Sequence, residues 1–414
     1  MSFKSEFLNT LDQRGFIAQG TNLEGLDEKA AASVLTGYIG FDATAKSLHA
    51  GSLIQIMLLY WLQQTGHRPI ALMGGGTTKV GDPSGKDTQR TLLSDAEIDE
   101  NIASIKGVFE QFLNFGDGPQ EAMMVNNDDW LSKLGYVEFL RDYGVHFTIN
   151  RMLTFDSVKL RLDRESPLTF LEFNYMLMQA YDFHALYNRI GCTLQLGGSD
   201  QWGNIVNGVE LCRRKDRVEV FGLTTPLLTT ASGKKMGKTE AGAVWLNADM
   251  FSPYDYWQYW RNVEDADVAT MLARFTTMPM DEVRRLGALE GAEINDAKKI
   301  LASEATAMLH GREAAARAAA TAQETFEKGG AGGDLPTIQL SGADIKAGAA
   351  IIDQFLTAGL CASKGEARRH IKAGALKIND QPVGEERTLA PGDIIDGAVK
   401  LSIGKKKHAI INIV

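Results

Sequence analysis

Residues 37–52, Gly37-Tyr38-Ile39-Gly40-Phe41-Asp42-Ala43-Thr44-Ala45-Lys46-Ser47-Leu48-His49-Ala50-Gly51-Ser52, decide the fold of this 414-residue chain. Tyr38 to Asp42 reads as a strand end passing into a loop. From Ser52 to Gly66, apolar Leu53, Ile56, Met57, Leu59, Tyr60 and Leu62 recur at helical spacing, and Gly66 is a natural stop. Pro69 to Met73 is then a short buried strand, cut by Gly74-Gly75-Gly76. Strand, helix and strand in this order open a parallel α/β sheet. Ligands in such sheets sit at the carboxyl ends of the strands, and the glycine-rich pieces fall there. Thr193 to Leu196 reads as another inner strand, followed by Gly197-Gly198-Ser199-Asp200-Gln201.

Beyond about Val244 the pattern turns helical, and Asp296 to Phe326 is rich in Ala, Glu, Lys and Arg. Gly329-Gly330-Ala331-Gly332-Gly333 signals a flexible linker. After it, Ile351 to Ile403 is compact and mixed. A helix ends near Gly359, and a second, Lys364 to Ala373, carries Arg368, Arg369 and Lys372. Short strands are expected around Leu376–Ile378 and Val399–Ile403. No internal repeat is visible. Residues 101–165 carry no site signal; their apolar Phe109, Phe112, Trp130, Leu131, Leu134, Phe139 and Leu140 fit a subunit face or core equally well.

The length allows two or three domains. Composition is that of an ordinary soluble globular protein, 44% hydrophobic and 23% charged. Lys4, Glu6 and Asp12 interrupt any signal-peptide core, and the densest apolar run, Leu53 to Leu62, is too short to span a bilayer. Cys192, Cys212 and Cys361 are odd in number and far apart, so neither a disulfide framework nor a zinc site is expected. A reducing cytoplasm is the simplest home, with no membrane partner. Net charge is −9, yet Leu360 to Val414 holds ten Lys/Arg and six Asp/Glu, a balance of +4 that leaves −13 for the rest. A basic tail on an acidic body fits a partner anion met by the tail, or merely a solvated surface.

His49 and Gly51 fall where the first helix begins. A helix start presents unpaired N–H groups and partial positive charge to a phosphate, and glycine there admits a nucleotide close to the backbone. Lys235-Met236-Gly237-Lys238-Thr239, entered through Ser232-Gly233, puts two ammonium groups on a loop, which suits a leaving pyrophosphate or simply solvent. Gly81-Asp82-Pro83-Ser84-Gly85-Lys86-Asp87 is not a P-loop: three residues separate its glycines, and Asp87 stands where Ser or Thr belongs. Tyr175, Gln179 and Asp182 share one helix face. That stripe is either the outer edge of a buried helix or the lining of a polar pocket.

Taken together, the loop at His49, Gly81 to Lys86, Tyr175…Gln179…Asp182, Gly197 to Asn204 and the lysine loop resemble class I aminoacyl-tRNA synthetases. The first and last of these correspond to that class's H-x-G-H and K-M-S-K-S signatures. Within the class the chain looks like the bacterial tyrosyl-tRNA synthetase family over nearly its whole length. The basic C-terminal piece resembles the S4-type RNA-binding module that closes many members. Ser52 departs from the second histidine usual there; it can donate one hydrogen bond but cannot become cationic. Gly237 and Thr239 are a variant the family often shows.

The resemblance implies a Rossmann-like parallel-sheet catalytic domain over 1–243, with an inserted connective region around 101–165. A helical tRNA anticodon-recognition domain over 244–328, a linker over 329–345 and a small α+β S4-type domain over 346–414 would follow. It implies activation of L-tyrosine with ATP, accompanied by Mg2+ and with no protein-bound metal, and then transfer to the 3′ end of tyrosine tRNA. Tyr38 and Asp182 would hold the phenolic hydroxyl, and Asp82, Tyr175 and Gln179 the α-ammonium, with Gln201 near the carboxyl end. Gly198 and Asp200 would take the ATP ribose, with Asp42 lining the same cleft. Thr44 and His49, beside Gly51 and Ser52, would meet the γ-phosphate. Lys86, Arg90, Lys235 and Lys238 would gather on pyrophosphate. Arg213, Arg214 and Lys215 would touch the tRNA acceptor end, and Arg368, Arg369 and Lys372 would bind RNA. A homodimer is implied, one tRNA reaching across both subunits.

Three rivals differ in testable ways. A tryptophanyl-tRNA synthetase needs no phenol acceptor and usually lacks the C-terminal module. A small nucleotidyltransferase shares the first loop but not the tRNA domains. A non-catalytic RNA-binding relative would be expected to lose His49 or the lysine loop, and both stand here.

Overall fold

The computed structural model describes residues 3–82, 93–233, 236–239, 242–327, 335–395, 397–404 and 407–414. Two compact units emerge: Met1–Met250 with Val263–Leu301, and Phe251–Asn262 with Ala302–Val414.

The first unit is built on a six-stranded sheet of β1 (Gln19–Gly20), β2 (Thr36–Phe41), β3 (Arg68–Met73), β4 (Met123–Asn126), β5 (Leu194–Gly198) and β6 (Phe221–Thr225). The spatial order is β1-β6-β5-β2-β3-β4, all parallel except β1, which runs antiparallel to β6. The chain winds outward from β2 through β3 to β4, then returns to β5 beside β2. Such a reversal opens a crevice beyond the carboxyl ends of the two inner strands. The α/β class and the opening strand–helix–strand are as expected, the helix spanning Leu53–Gln64. That helix buries Leu53, Ile54, Ile56, Met57, Leu58, Leu59 and Leu62. Its burial is nearly all round because it lies between the sheet and two further helices, Glu6–Gln13 and Val268–Phe275. Each such side chain removed from water contributes ~1.5–3 kcal/mol.

Residues 101–165 divide in two. Met123–Asn126 is a strand of the sheet itself, paired with β3 from Ile70↔Met123 to Met73↔Asn126. Phe109, Phe112, Trp130 and Leu131 are buried core, Leu134 and Phe139 are partly buried, and Leu140 is exposed. Short helices Tyr136–Asp142, Ile149–Met152 and Asp156–Asp163 follow. The helix Phe170–Ile190 begins at a reciprocal Thr169–Glu172 capping box and packs along the helix Trp202–Lys215.

In the second unit the helix Pro253–Arg261 packs on Arg312–Glu327. A five-stranded sheet runs in the order Gln381–Pro382, Leu376–Ile378, Ala398–Ile403, Lys407–Ile413, Thr337–Leu340. Helices Ile351–Thr357 and Lys364–Lys372 cover it through Ile351, Phe355 and Ile371. The strand Thr337–Leu340 falls within 329–345, read above as linker, and the helix Gly342–Lys346 runs to one residue past its end; the strand pairs in parallel with Lys407–Ile413. Gly329 to Gly333 lie outside the described residues. Cys192, Cys212 and Cys361 are free and buried. No described helix is long and apolar enough to cross a membrane.

Candidate active site

The crevice at the β2/β5 reversal is a cleft of about 940 Å³. Tyr38, from β2, forms its floor. The Tyr38 ring packs edge-on against Phe183, and its hydroxyl is buried with no hydrogen-bond partner among the described residues. Beside it is Asp182, 2% exposed, from the helix Phe170–Ile190. The Trp130 indole N–H donates to Asp182 Oδ1 at 2.7 Å, and Asn127 Nδ2 donates to Oδ2 at 2.9 Å. Burial raises the Asp182 pKa to about 7, against the pull of these two donors. Burial and the neighbouring Asp182 push the Tyr38 phenol well above its ordinary range. A phenol left unpaired beside a two-handed carboxyl suits a ligand hydroxyl that can accept from one and donate to the other.

One wall carries Asp42, Asp82, Tyr175, Gln179 and Gln201. The Tyr175 hydroxyl points at the Asp42 carboxylate, 3.3 and 3.4 Å from its oxygens, and Thr77 donates to Asp42 Oδ1 at 3.0 Å. Burial, then Asp42, Asp82 and Asp182, push the Tyr175 phenol well up. Gln201 Nε2 donates to Asp82 Oδ2 at 2.9 Å while its oxygen accepts from Asn204 at 3.0 Å. Tyr175, Gln179 and Asp182 therefore line a polar pocket. The described lining includes Asp42, Asp82, Asp182 and Asp200 and no Lys or Arg, which favours a ligand cation at this wall.

The opposite rim joins the two signatures. The Gly51 N–H donates to His49 Nδ1 at 3.0 Å. That bond fixes the neutral tautomer, so Nε2 carries the proton. The Ala50 N–H donates to Val244 O at 2.8 Å, and His49 and Trp245 form a β-bridge. Gly237, at φ +93°, packs against Gly51 and His49, and a two-stranded turn pairs Lys238–Thr239 with Gly242–Ala243. Thr44, Ser52, Gly198 and Asp200 complete the lining. A Cβ on Gly198 would stand 2.5 Å from Asp200 Oδ1, so the carboxylate lies flat against that backbone. Ser52 makes no capping hydrogen bond at the head of the helix. Lys86, Arg90 and Lys235 lie outside the described residues, as does the side chain of Lys238.

Asn127 and Trp130 are the residues sequence reasoning missed. Asn127 also accepts from Gly76 N–H at 2.8 Å and donates to Thr77 at 3.1 Å, tying the loop after β3 to Asp182. The available signal was position: Asn127 directly follows β4, at the carboxyl end of a parallel strand.

The expected tRNA cations are spread over other surfaces. Arg213 makes two hydrogen bonds to Glu210, at 3.1 and 2.9 Å. Arg214 donates to His146 O at 2.7 Å, and Lys215 donates to Asp142 O at 3.3 Å while lying 4.4 Å from the Tyr143 ring centre. In the second unit Arg368 binds Glu386 at 2.7 Å. Arg369 and Lys372 are exposed and make no ion pair among the described residues.

A cleft at a sheet reversal, with a helix-start histidine facing the glycine of the second signature, is the arrangement expected of a class I aminoacyl-tRNA synthetase. Residues 30–327 match the family described as tRNA synthetases class I (W and Y), and residues 352–395 match the S4 domain. The tyrosine–tRNA ligase of Caulobacter sp. (strain K31) is 63% identical over 411 residues, 99% of this chain and 98% of that one. The tyrosine–tRNA ligase of Rhizobium meliloti (strain 1021) is 58% identical over 411 residues, 99% of each chain. The C-terminally truncated mitochondrial tyrosyl-tRNA synthetase of Aspergillus nidulans superposes with a TM-score of 0.70 at 30% identity, over 77% of this chain and 94% of that one. The chain belongs to the tyrosine–tRNA ligases, a family of class I synthetases, and carries their C-terminal S4 domain.

Proposed function

We propose that the cleft activates L-tyrosine with ATP and then passes the tyrosyl group to the 3′ end of tyrosine tRNA. One observation carries this reading: the buried, unpartnered Tyr38 hydroxyl beside Asp182, at the bottom of a cleft lined with carboxylates. The substrate phenol sits between Tyr38 and Asp182. Its ammonium meets Asp82, Tyr175 and Gln179, and its carboxylate lies toward Gln201. Gly198 and Asp200 take the ribose, with Asp42 alongside; Thr44 and the Nε2–H of His49 face the γ-phosphate, next to Gly51 and Ser52.

The tyrosine carboxylate attacks the α-phosphorus, the α–β phosphoanhydride bond breaks, and pyrophosphate leaves. No protein nucleophile is required; positioning and charge stabilisation supply the rate. Mg2+ arrives with the ATP phosphates as part of the substrate. Lys86, Arg90, Lys235 and Lys238 neutralise the departing pyrophosphate. A ribose hydroxyl of tRNA then attacks the adenylate carbonyl and releases AMP. The helical region over 244–328 reads the anticodon, and the S4 domain adds RNA affinity. A cytoplasmic enzyme fits this work.

The working unit is a homodimer. Tyr136, Val137, Val145, Ile149, Phe170 and Leu171 are exposed in one stretch of chain, an apolar surface suited to a second copy. Arg214 and Lys215 then act partly by fastening that stretch to the catalytic helices, through His146 O and Asp142 O. Sedimentation equilibrium at micromolar protein should give the dimer mass; a monomer that still charges tRNA would remove this part.

The test of the reaction is amino-acid-dependent exchange of pyrophosphate into ATP by the full chain. Tyrosine should support it and phenylalanine and tryptophan should not. Equal exchange with tryptophan would overturn the pocket assignment.

A further inference from the structure

The chain leading into the second signature is tied down just before the lysines. The Ala231 N–H donates to Asp267 Oδ1 at 2.9 Å, and the Ser232 hydroxyl donates to Glu264 Oε1 at 2.7 Å. The hydroxyls of Thr230 and Ser232 are 2.8 Å apart, so the three residues form one braced turn. Asp267 is 6% exposed, and its second oxygen, Oδ2, is buried with no hydrogen-bond partner among the described residues. It stands at the N-cap of the helix Val268–Phe275 yet makes no capping hydrogen bond through its side chain, so its carboxylate is committed to the loop and not to the helix it heads.

What Asp267 stands on matters as much. It directly precedes the helix Val268–Phe275. The Arg14 guanidinium donates to the carbonyls of Ala273 at 2.8 Å, Thr276 at 3.1 Å and Met278 at 2.7 Å, closing the end of that helix. The same guanidinium lies 4.1 Å from the Trp61 ring centre, and Arg274 returns a bond to Gly15 O at 2.9 Å. Trp61 belongs to the helix Leu53–Gln64, whose start carries the first signature. Lys298 pairs with Asp265 and steadies the turn between Glu264 and Asp267. The support for the second signature is thus mounted, through Arg14 and Trp61, on the helix of the first.

We infer that Asp267 and Glu264 are positioning residues for tyrosine activation, setting where the lysine loop starts relative to His49. They touch no substrate. This rests on the reading of Lys235 and Lys238 as groups acting on pyrophosphate. Misplacing such a loop by about 1 Å is enough to cost on the order of 10²-fold in rate while leaving ground-state binding alone.

Pre-steady-state tyrosyl-adenylate formation by the full chain tests this, with equilibrium binding of tyrosine and ATP measured beside it. Asp267→Ala should slow adenylate formation roughly ten- to hundredfold and shift either dissociation constant less than about threefold. Asp267→Asn keeps the Oδ1 acceptor and should recover most of the rate. Ser232→Ala and Glu264→Ala change exposed side chains, fold regardless, and should each slow the step by about two- to fivefold. Pyrophosphorolysis of preformed tyrosyl-adenylate should slow in parallel. Lys238→Ala separates the two claims. If it is slow while the Asp267, Ser232 and Glu264 variants keep the parental rate, the anchor is refuted and the lysine reading stands. If Lys238→Ala keeps the parental rate, the lysine reading falls and takes the anchor with it. A slow Asp267→Ala that also loses tyrosine binding, or that Asn fails to rescue, marks general damage and equally overturns the inference.

Discussion

Gly237 stands so close to Gly51 that a Cβ on Gly237 would lie 2.5 Å from the Gly51 nitrogen and 2.9 Å from its Cα. The two signatures, far apart in sequence, therefore meet backbone to backbone at the cleft rim. Gly237 also holds φ +93°, a conformation that side chains other than glycine's adopt at a cost. The glycine at the centre of the lysine loop is thus required twice, by its own backbone and by its neighbour's.

Gly237→Ala should consequently slow adenylate formation by about tenfold to a hundredfold, by pushing the loop off the rim. Gly233→Ala is the control. Gly233 has a similar φ of +82°, but nothing lies within 4 Å of its added Cβ. Single-turnover rates should fall much further in the first variant than in the second; equal rates would show that backbone strain, not contact with Gly51, is what matters.

Selectivity for tyrosine should depend on the residues that hold Asp182 as well as on Asp182 itself. Asp182→Ala removes the proposed charged partner of the phenol, a bond worth ~1.5–3 kcal/mol, so tyrosine activation should fall roughly ten- to 150-fold. Trp130→Phe and Asn127→Ala each remove one donor from the carboxyl, at 2.7 and 2.9 Å, and should lie between this variant and the parent. Phenylalanine activation should change little in all three. Steady-state pyrophosphate exchange with both amino acids measures the ratio.

The Asp182 carboxyl, raised to about 7 by burial, should make tyrosine binding pH-dependent. A phenol donating to the ionised form favours that form and pulls the pKa down. Tyrosine binding should therefore release a proton between about pH 5.5 and 7.5, and none near pH 9. Calorimetry in buffers of different ionisation enthalpy reads this directly, and phenylalanine should release none. Stability has its own sign. Because the folded pKa exceeds the ordinary 3.8, this group's contribution is full below about pH 3.8 and is lost as pH rises through about 7. Without tyrosine, replacing Asp182 should flatten the decline in melting temperature across that window.

Among the basic residues of the S4 domain, Arg369 and Lys372 should carry more RNA affinity than Arg368. Arg368 is held by Glu386 at 2.7 Å, whereas the other two make no ion pair among the described residues. Arg369→Ala with Lys372→Ala should lower the slope of log affinity for tRNA against log salt by about 1.5. Pyrophosphate exchange should be unchanged. Arg368→Ala should move the slope less; an equal or larger change would reverse the assignment.

Much of the cleft was legible because its residues cluster in short stretches with local meaning. Tyr38 lies in one strand, Asp42 directly follows it and His49 opens the next helix, while Gly198 to Gln201 close another strand. Resemblance then attached roles that spacing alone left open, as with Tyr175, Gln179 and Asp182. What could not be read depends on distant contact. Asn127 and Trp130 reach Asp182 from more than fifty positions away, across a strand whose four residues show no alternation. Asp267 reaches Ala231 in the same way. The conformation of Gly237 has no local marker beyond the glycine itself. Lys215 looks like a free cation in sequence because its partner is a backbone carbonyl of another segment, and Arg214 holds such a carbonyl in addition to Glu210 on its own helix.

The most direct measurement is aminoacylation of bacterial tyrosine tRNA by the full chain, supplied in turn with tyrosine, phenylalanine and tryptophan. Tyrosine alone should be transferred in an ATP-dependent manner, and Asp182→Ala should abolish most of that transfer. Charging with tryptophan at a comparable rate, or undiminished charging with tyrosine by Asp182→Ala, would contradict a cleft built around the phenolic hydroxyl.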